Sequence, residues 1–279
     1  MIVREALDWA GARLADTSEA PLAAKMLLAH VLGCSTTDLF VHPERTLTTD
    51  EEQAYRQIVD RRAQHEPVAY LVGQRAFFGL DLGSDRRALI PRSETELLVE
   101  QALHVARQWP CPRIVDVGSG SGAIAISLAK HLSQAQVFAT DRSRDALQLA
   151  QENARRCGLG NRITFFHGDL LEPLPAAVHL VVANLPYVSE TEFAALPPDI
   201  RLYEPREALI AGADGLDAIR ALLNTARPHI TANGALLLEI GATQGQAVAA
   251  LSRQAFPAAQ VTVLPDYAGH DRIVRVESL

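Results

Sequence analysis

Apolar positions over roughly the first 65 residues recur at helical spacing. Leu7, Ala10 and Leu14 share one stripe, as do Leu22, Met26, Ala29 and Val31-Leu32 in the next segment. Gly33 ends that second helix, and Ser35-Thr36-Thr37-Asp38 starts a short third one. Thr49-Asp50-Glu51-Glu52 opens a fourth, which runs to about His65 and stops at Glu66-Pro67. Residues 1–66 therefore read as a small helical bundle, with no side-chain pattern in it that carries chemistry.

The pattern changes over residues 67–92, where two apolar-aromatic runs, Val68 to Gly73 and Ala76 to Leu80, are broken by glycine as in a hairpin or linker. Ser93-x-x-Glu96, just past Pro91, has the spacing of a capping box and opens a helix to about Gln108. From Arg113 onward strands and helices alternate. Strands are expected over 114–117, 136–140, 162–166, 179–183 and 234–240, and helices over 123–131, 143–157, 215–228 and 243–255. Alternation of this kind predicts a parallel sheet covered by helices on both faces. Two last runs, 260–264 and 272–277, are joined by a loop rich in Gly and Asp and add an antiparallel edge. Residues 93–279 thus form one α/β domain in this reading.

Composition narrows the partners. The formal net charge is -7, whereas a protein that grips a nucleic-acid backbone over a wide face carries a basic excess. No direct nucleic-acid binding is expected, and no apolar run approaches the ~20 residues that span a bilayer. The first residues, with acidic positions among apolar ones, read as an amphipathic helix and not as a signal peptide. Cys34, Cys111 and Cys157 are far apart, which suits a reducing cytoplasm without disulfides. The nine histidines are scattered, and no metal is expected.

Candidate chemistry begins at Gly118-Ser119-Gly120-Ser121-Gly122, between the first strand of the sheet and its helix. Glycines there let the backbone turn sharply and approach a ligand closely. Asp141 closes the next strand, where a carboxylate can accept hydrogen bonds from both hydroxyls of a ribose. The glycine spacing is not that of the dinucleotide fingerprint, and no hydride-transfer site follows it. Asp169 and Leu170 come after the third strand, one placed to bond an adenine amine and the other to pack on the ring. A solvated turn is the plainer account of Asp169 alone, and Asp116 either faces a ligand or caps a turn.

The apolar strand at 181–183 runs into Asn184-Leu185-Pro186-Tyr187. Ligands of open α/β sheets bind beyond the carboxyl ends of the strands, so this tetrapeptide falls beside the glycine loop. An amide or aromatic amine is a weak nucleophile because its lone pair is spread into a π-system. The Asn184 side-chain oxygen and the Leu185 carbonyl could each accept one of its N–H groups and favour a nitrogen whose lone pair points at a methyl donor. Pro186 fixes the turn, and Tyr187 offers a flat wall. The tetrapeptide reads as a methyl-transfer site.

Further runs extend the pattern. They include Tyr70-Leu71-Val72-Gly73, Phe77-Phe78-Gly79, Leu89-Ile90-Pro91-Arg92-x-x-Thr95-Glu96, Tyr203-Glu204-Pro205 and Asp266-Tyr267-x-Gly269-x-Asp271-Arg272. With these the chain resembles, over nearly its whole length, the bacterial protein-(glutamine-N5) methyltransferases of peptide chain release factors, the PrmC or HemK family. The resemblance implies a Rossmann-like, S-adenosylmethionine-dependent methyltransferase sheet behind a small helical domain that recognises the substrate. It implies methylation of the glutamine of a Gly-Gly-Gln loop in a release factor by a monomeric cytoplasmic enzyme. Gly118 to Gly122, Asp141, Asp169, Leu170 and Asn184 would hold the cofactor, and Asn184 to Tyr187 the glutamine amide. Arg92 and Glu94-Thr95-Glu96 would lie near the mouth of the site. Glu204 would either orient substrate or anchor a loop through Arg201 or Arg206. The family's tetrapeptide is Asn-Pro-Pro-Tyr, so Leu185 keeps the carbonyl but loses proline's restriction of φ. Asn-Leu-Pro-Tyr also resembles the tetrapeptide of ribosomal RNA adenine dimethylases, which leaves an adenine amino-methyltransferase as the alternative. A non-catalytic cofactor-binding adaptor would have no need of the intact motif.

Overall fold

The computed structural model describes all 279 residues, and the chain divides into two compact units. The first is Met1–Gln74 together with Pro197–Tyr203. Its helices are α1 (Val3–Arg13), α2 (Ala20–Leu32), α3 (Thr36–Val41), α4 (Thr49–Ala63) and α5 (Val68–Val72). Gly33 closes α2 in the left-handed conformation at φ 62°, and Ser35 with Asp38 forms a capping box at the start of α3. Leu14, Leu27, Leu28 and Tyr55 are fully buried between the helices, and the Tyr55 hydroxyl satisfies the Ala24 carbonyl at 3.0 Å. Within the run expected as a hairpin or linker, 68–72 is helical and the hairpin follows it. The inclusion of Pro197–Tyr203 has no periodic signal in the sequence. That segment is held by tertiary bonds, such as the one from the Tyr203 hydroxyl to the Gln64 carbonyl at 2.8 Å.

The second unit is Arg75–Leu196 with Glu204–Leu279. The hairpin β1 (Gln74–Phe77) and β2 (Leu80–Gly83) leads to α6 (Thr95–Ala106). Then come β3 (Arg113–Val117), α7 (Ala123–His131), β4 (Gln136–Asp141), α8 (Arg144–Arg156), β5 (Ile163–His167) and β6 (Val178–Ala183). Next is α9 (Glu190–Ala195); α10 (Pro198–Tyr203) belongs to the first unit, and the second resumes with α11 (Asp217–Ala226), β7 (Ile230–Glu239), α12 (Gly245–Ala255), β8 (Gln260–Pro265) and β9 (Asp271–Glu277). The sheet has seven strands in the order β5-β4-β3-β6-β7-β9-β8. All pairs up to β6–β7 are parallel, and β9 enters antiparallel between β7 and β8, so the expected antiparallel edge is present.

Alternate residues of each strand serve opposite faces. Ile114, Leu180 and Leu237 pack with Leu98 of α6 and Ile124 of α7, while Val115, Val181 and Leu236 pack with Leu222 of α11 and Val248 of α12. The central strands are buried on both faces, which explains their continuous apolar runs.

The capping box expected of Ser93 and Glu96 does not form. Helix α6 begins at Thr95 without a side-chain cap, and the Ser93 hydroxyl bonds Glu94. Glu96 instead accepts the Phe78 backbone N–H at 2.8 Å. Phe78 sits at φ 48° in the turn of the β1–β2 hairpin, and its otherwise unpaired N–H takes the carboxylate that the helix end would have used.

Candidate active site

Chain direction across the sheet reverses between β3 and β6. From β3 the path runs outward through β4 and β5, and from β6 it runs the other way to β7. The loops that leave the carboxyl ends of β3 and β6 therefore diverge and leave a crevice, the usual ligand position in an open α/β sheet. A cavity of about 430 Å³ lies there, within the range of small-molecule sites. Gly118 to Ser121, Asp141, Asp169, Leu170 and Asn184 to Pro186 all line it.

The glycine loop is fixed from three sides. The Gly118 and Ser119 N–H groups donate to the Thr140 carbonyl at 2.9 and 3.0 Å, which ties the loop to β4. The Gly120 N–H donates to Asp141 Oδ2 at 2.8 Å, and the Ser143 N–H to Asp141 Oδ1 at 2.8 Å. Each Asp141 oxygen thus keeps a lone pair beyond its one backbone donor. Below the loop, Asp116 is fully buried and takes the Ser119 hydroxyl at 2.8 Å and the Ala125 N–H at 3.1 Å. Burial pushes the Asp116 carboxyl up to about 7 against the pull of those two bonds. Asp116 therefore caps the turn and does not face the cavity. Gly118 stands at φ +71°, and a Cβ there would come within 2.9 Å of Leu185 Cδ2. Gly122, at φ +82°, faces α8, where a Cβ would meet Ala150 at 3.0 Å, and it is not part of the cavity wall.

Asn153 of α8 supports the loop from behind and carried no signal in the sequence. Nearly buried at 1% exposure, it accepts the Gly83 N–H at 2.7 Å and donates to the Gly83 and Ser121 carbonyls at 3.0 and 2.9 Å.

In the tetrapeptide, Asn184 donates from Nδ2 to the Thr95 hydroxyl at 3.0 Å. Its Oδ1 takes no bond from the protein and is not buried, so the oxygen is the end of the amide that meets the cavity. The Leu185 carbonyl accepts no backbone hydrogen bond. The Leu185 side chain is buried against Gly118, which restrains the loop by packing where a proline ring would do so by covalent geometry. Tyr187 does not line the cavity. Its carbonyl is held by Gln244 Nε2 at 2.9 Å, and burial raises its hydroxyl to about 12.

Asp169 and Leu170 enter the wall from the turn after β5, where Leu170 holds a left-handed φ of 46°. A non-glycine residue in that region marks a locally constrained turn. Glu204 stays out of the cavity. It is buried, pairs with Arg92 and takes the Ile90 N–H at 3.1 Å, so its carboxylate pins the 90–92 segment of the wall. Arg92, which the sequence did not suggest as its partner, supplies this ion pair. Thr95 lines the cavity, whereas Glu94 and Glu96 do not.

Glu239, the last residue of β7, carries no motif in the sequence but belongs to the same sheet end. Because Ala183 pairs with Leu238 in the parallel ladder, Glu239 falls beside Asn184 at the same sheet end. It is 1% exposed, and neither carboxylate oxygen has a hydrogen bond. A polar residue closing an apolar strand, as Asp141 closes β4, was the available signal.

Residues 5–73 match the family model of the PrmC N-terminal domain, and residues 93–196 that of the methyltransferase small domain. The release factor glutamine methyltransferase of Moorella thermoacetica is 44% identical over 98% of this chain and 97% of its own. That of Geobacter sulfurreducens is 39% identical over 98% and 95%. Among solved structures, a ribosomal protein L11 methylase of Lactobacillus delbrueckii subsp. bulgaricus superposes with a TM-score of 0.51 at 21% identity, over 68% of this chain and 80% of that one. At that identity the likeness is one of fold alone. On the strength of the full-length relatives, the chain belongs to the release factor glutamine methyltransferase family.

Proposed function

We propose that this protein transfers a methyl group from S-adenosylmethionine to the side-chain nitrogen of the glutamine in the Gly-Gly-Gln loop of a peptide chain release factor. The observation that carries the reading is the Asn184 amide, whose nitrogen bonds Thr95 and whose oxygen meets the cavity beside a free Leu185 carbonyl. Two acceptors on adjacent residues suit the two N–H groups of a primary amide.

The residues present fit the cofactor. Gly118 and Gly120 have positive φ and leave a cradle without side chains, and Asp141 retains acceptor capacity on both oxygens. Leu170 gives an apolar wall beside Asp169. When bound, S-adenosylmethionine supplies a methyl group made electrophilic by its sulfonium centre.

The chain's own residues prepare the acceptor. Asn184 Oδ1 and the Leu185 carbonyl accept the amide N–H bonds, draw the nitrogen toward a tetrahedral shape and offset its developing positive charge. Pro186 and the bond from Gln244 to the Tyr187 carbonyl hold the turn that presents both oxygens. The proton leaves after transfer, so no resident base is needed. The helical unit recognises the release factor, since four residues cannot distinguish one glutamine from another. A monomer acting on protein suits the net charge of -7, and the three free cysteines suit the cytoplasm. No helix is long and apolar enough to cross a membrane.

Incubation with labelled cofactor and, in parallel, a release factor, an RNA and a DNA tests the reading. Label is expected on the release factor; label on nucleic acid alone would replace it with the adenine reading.

A further inference from the structure

A hydroxyl both donates and accepts, so Thr95 alone does not decide which end of the Asn184 amide faces it. With Thr95 accepting, Nδ2 points at Thr95 and Oδ1 at the cavity, as observed. With Thr95 donating, the amide would turn over and offer the acceptor an NH2 in place of an oxygen. Something must take the Thr95 proton to keep the first arrangement.

The group placed to do so is Glu239. It is sealed at the end of β7, beside Asn184, with both oxygens unbonded. A buried carboxyl without a well-formed hydrogen bond is costly and calls for a reason. Burial raises its pKa to about 7, while Thr95, then Arg272 and Asn184, favour the charged form and Glu94 opposes it. These groups come from every element around it. Thr95 and Glu94 stand at the start of α6, Asn184 and Tyr187 follow β6, and Arg272 lies on β9. The Arg272 guanidinium is shared with Asp266 and with the Ile240 carbonyl, so its charge is only partly given to Glu239. The effect is mutual at Tyr187, whose hydroxyl is raised first by burial and then by Glu239.

We propose that Glu239 is a positioning residue that, as a carboxylate, draws the Thr95 hydroxyl proton toward itself and so locks the Asn184 amide with its oxygen toward the acceptor. In the protonated form Glu239 becomes a donor to Thr95, the hydroxyl is released to donate to Asn184, and the inverted amide competes. The device rests on the reading of Asn184 as the acceptor-binding residue.

Single-turnover methyl transfer to a release factor, measured across pH in the full-length protein, tests it. The wild-type rate is expected to rise about tenfold between pH 6 and pH 8, following one carboxyl that titrates near neutrality. Glu239→Gln should be slower by about tenfold or more at pH 8 and flat across that range, with binding of S-adenosylhomocysteine unchanged. Its melting temperature at pH 8 should be higher than wild type, because a buried charge is gone. A purely structural glutamate would give a lower one. Thr95→Val should reproduce the loss, and Thr95→Ser, which keeps the hydroxyl, should recover most of it. If Glu239→Gln fails to fold, the pH slope decides the matter: it should survive in Thr95→Ser and vanish in Thr95→Val, and a slope that survives in Thr95→Val would overturn the role of Glu239. A wild-type rate in Glu239→Gln, a pH slope surviving in it, or equal losses in Thr95→Val and Thr95→Ser would overturn the role of Glu239. Absence of methyl on the release factor with wild-type protein would instead overturn the reading beneath it.

Discussion

The amide of Asn184 and the hydroxyl of Thr95 meet at 3.0 Å, across 89 residues of chain, with the amide nitrogen toward Thr95 and the oxygen left for the cavity. Thr95 is the first residue of α6 and Asn184 the first beyond β6, so the contact joins a helix start to a strand end.

Asn184 and Asp141 should therefore fail in different ways. Asn184→Ala removes an acceptor from the developing charge and should lower turnover by about 10²-fold, with cofactor affinity nearly intact. Asp141→Ala removes the carboxylate that bonds Gly120 and Ser143, and should weaken cofactor binding by about tenfold or more. Calorimetry with S-adenosylhomocysteine beside steady-state kinetics separates the two. The same pattern in both variants would contradict the division of roles.

Leu185→Ala tests whether packing has replaced proline at the second position of the tetrapeptide. The carbonyl remains, but the buried contact with Gly118 is lost. Stability should fall by about 2–4 kcal/mol. Turnover should fall less than in Asn184→Ala, as read by urea unfolding and kinetics on the same preparations.

Asn153→Ala should act on the glycine loop from behind. It leaves the Gly83 N–H and two carbonyls without partners in a buried place. A loss of about 2–4 kcal/mol is expected from stranded polar groups. Cofactor affinity should fall as well, because Ser121 is one of the groups released. Unchanged affinity at reduced stability would confine Asn153 to the hairpin.

Much of this was legible. The strand ends that carry Asp141 and Asn184 announced themselves, because apolar runs buried on both faces stop abruptly at polar residues. The glycine loop did so through its spacing. What stayed hidden depends on partners far along the chain. Glu96 had the spacing of a cap, yet a hairpin turn at Phe78 claims it. Glu204 pairs with Arg92, 112 residues away in the chain. Glu239 gained meaning only when the β6–β7 register set it beside Asn184.

Stability should vary with pH in a direction opposite to ordinary acid unfolding. Burial holds both Asp116 and Glu239 up at about 7 in the folded protein, whereas the unfolded chain releases these protons near pH 4. Between about pH 4.5 and 7 the folded state holds the extra protons, so stability conferred by these two groups falls as pH rises through that window and levels off above it. Denaturant unfolding at several pH values reads the slope, and Glu239→Gln should reduce it to the part that belongs to Asp116. A slope of the other sign would mean that both carboxyls stay charged in the fold.

The most direct test of the central claim is mass-spectrometric localisation of methyl groups on a release factor after reaction with this protein and S-adenosylmethionine. One methyl group is expected, on the side chain of the Gly-Gly-Gln glutamine, absent when that glutamine is replaced and strongly reduced with Asn184→Ala. Methylation elsewhere on the release factor, or at that glutamine with Asn184→Ala as efficiently as with wild type, would contradict it.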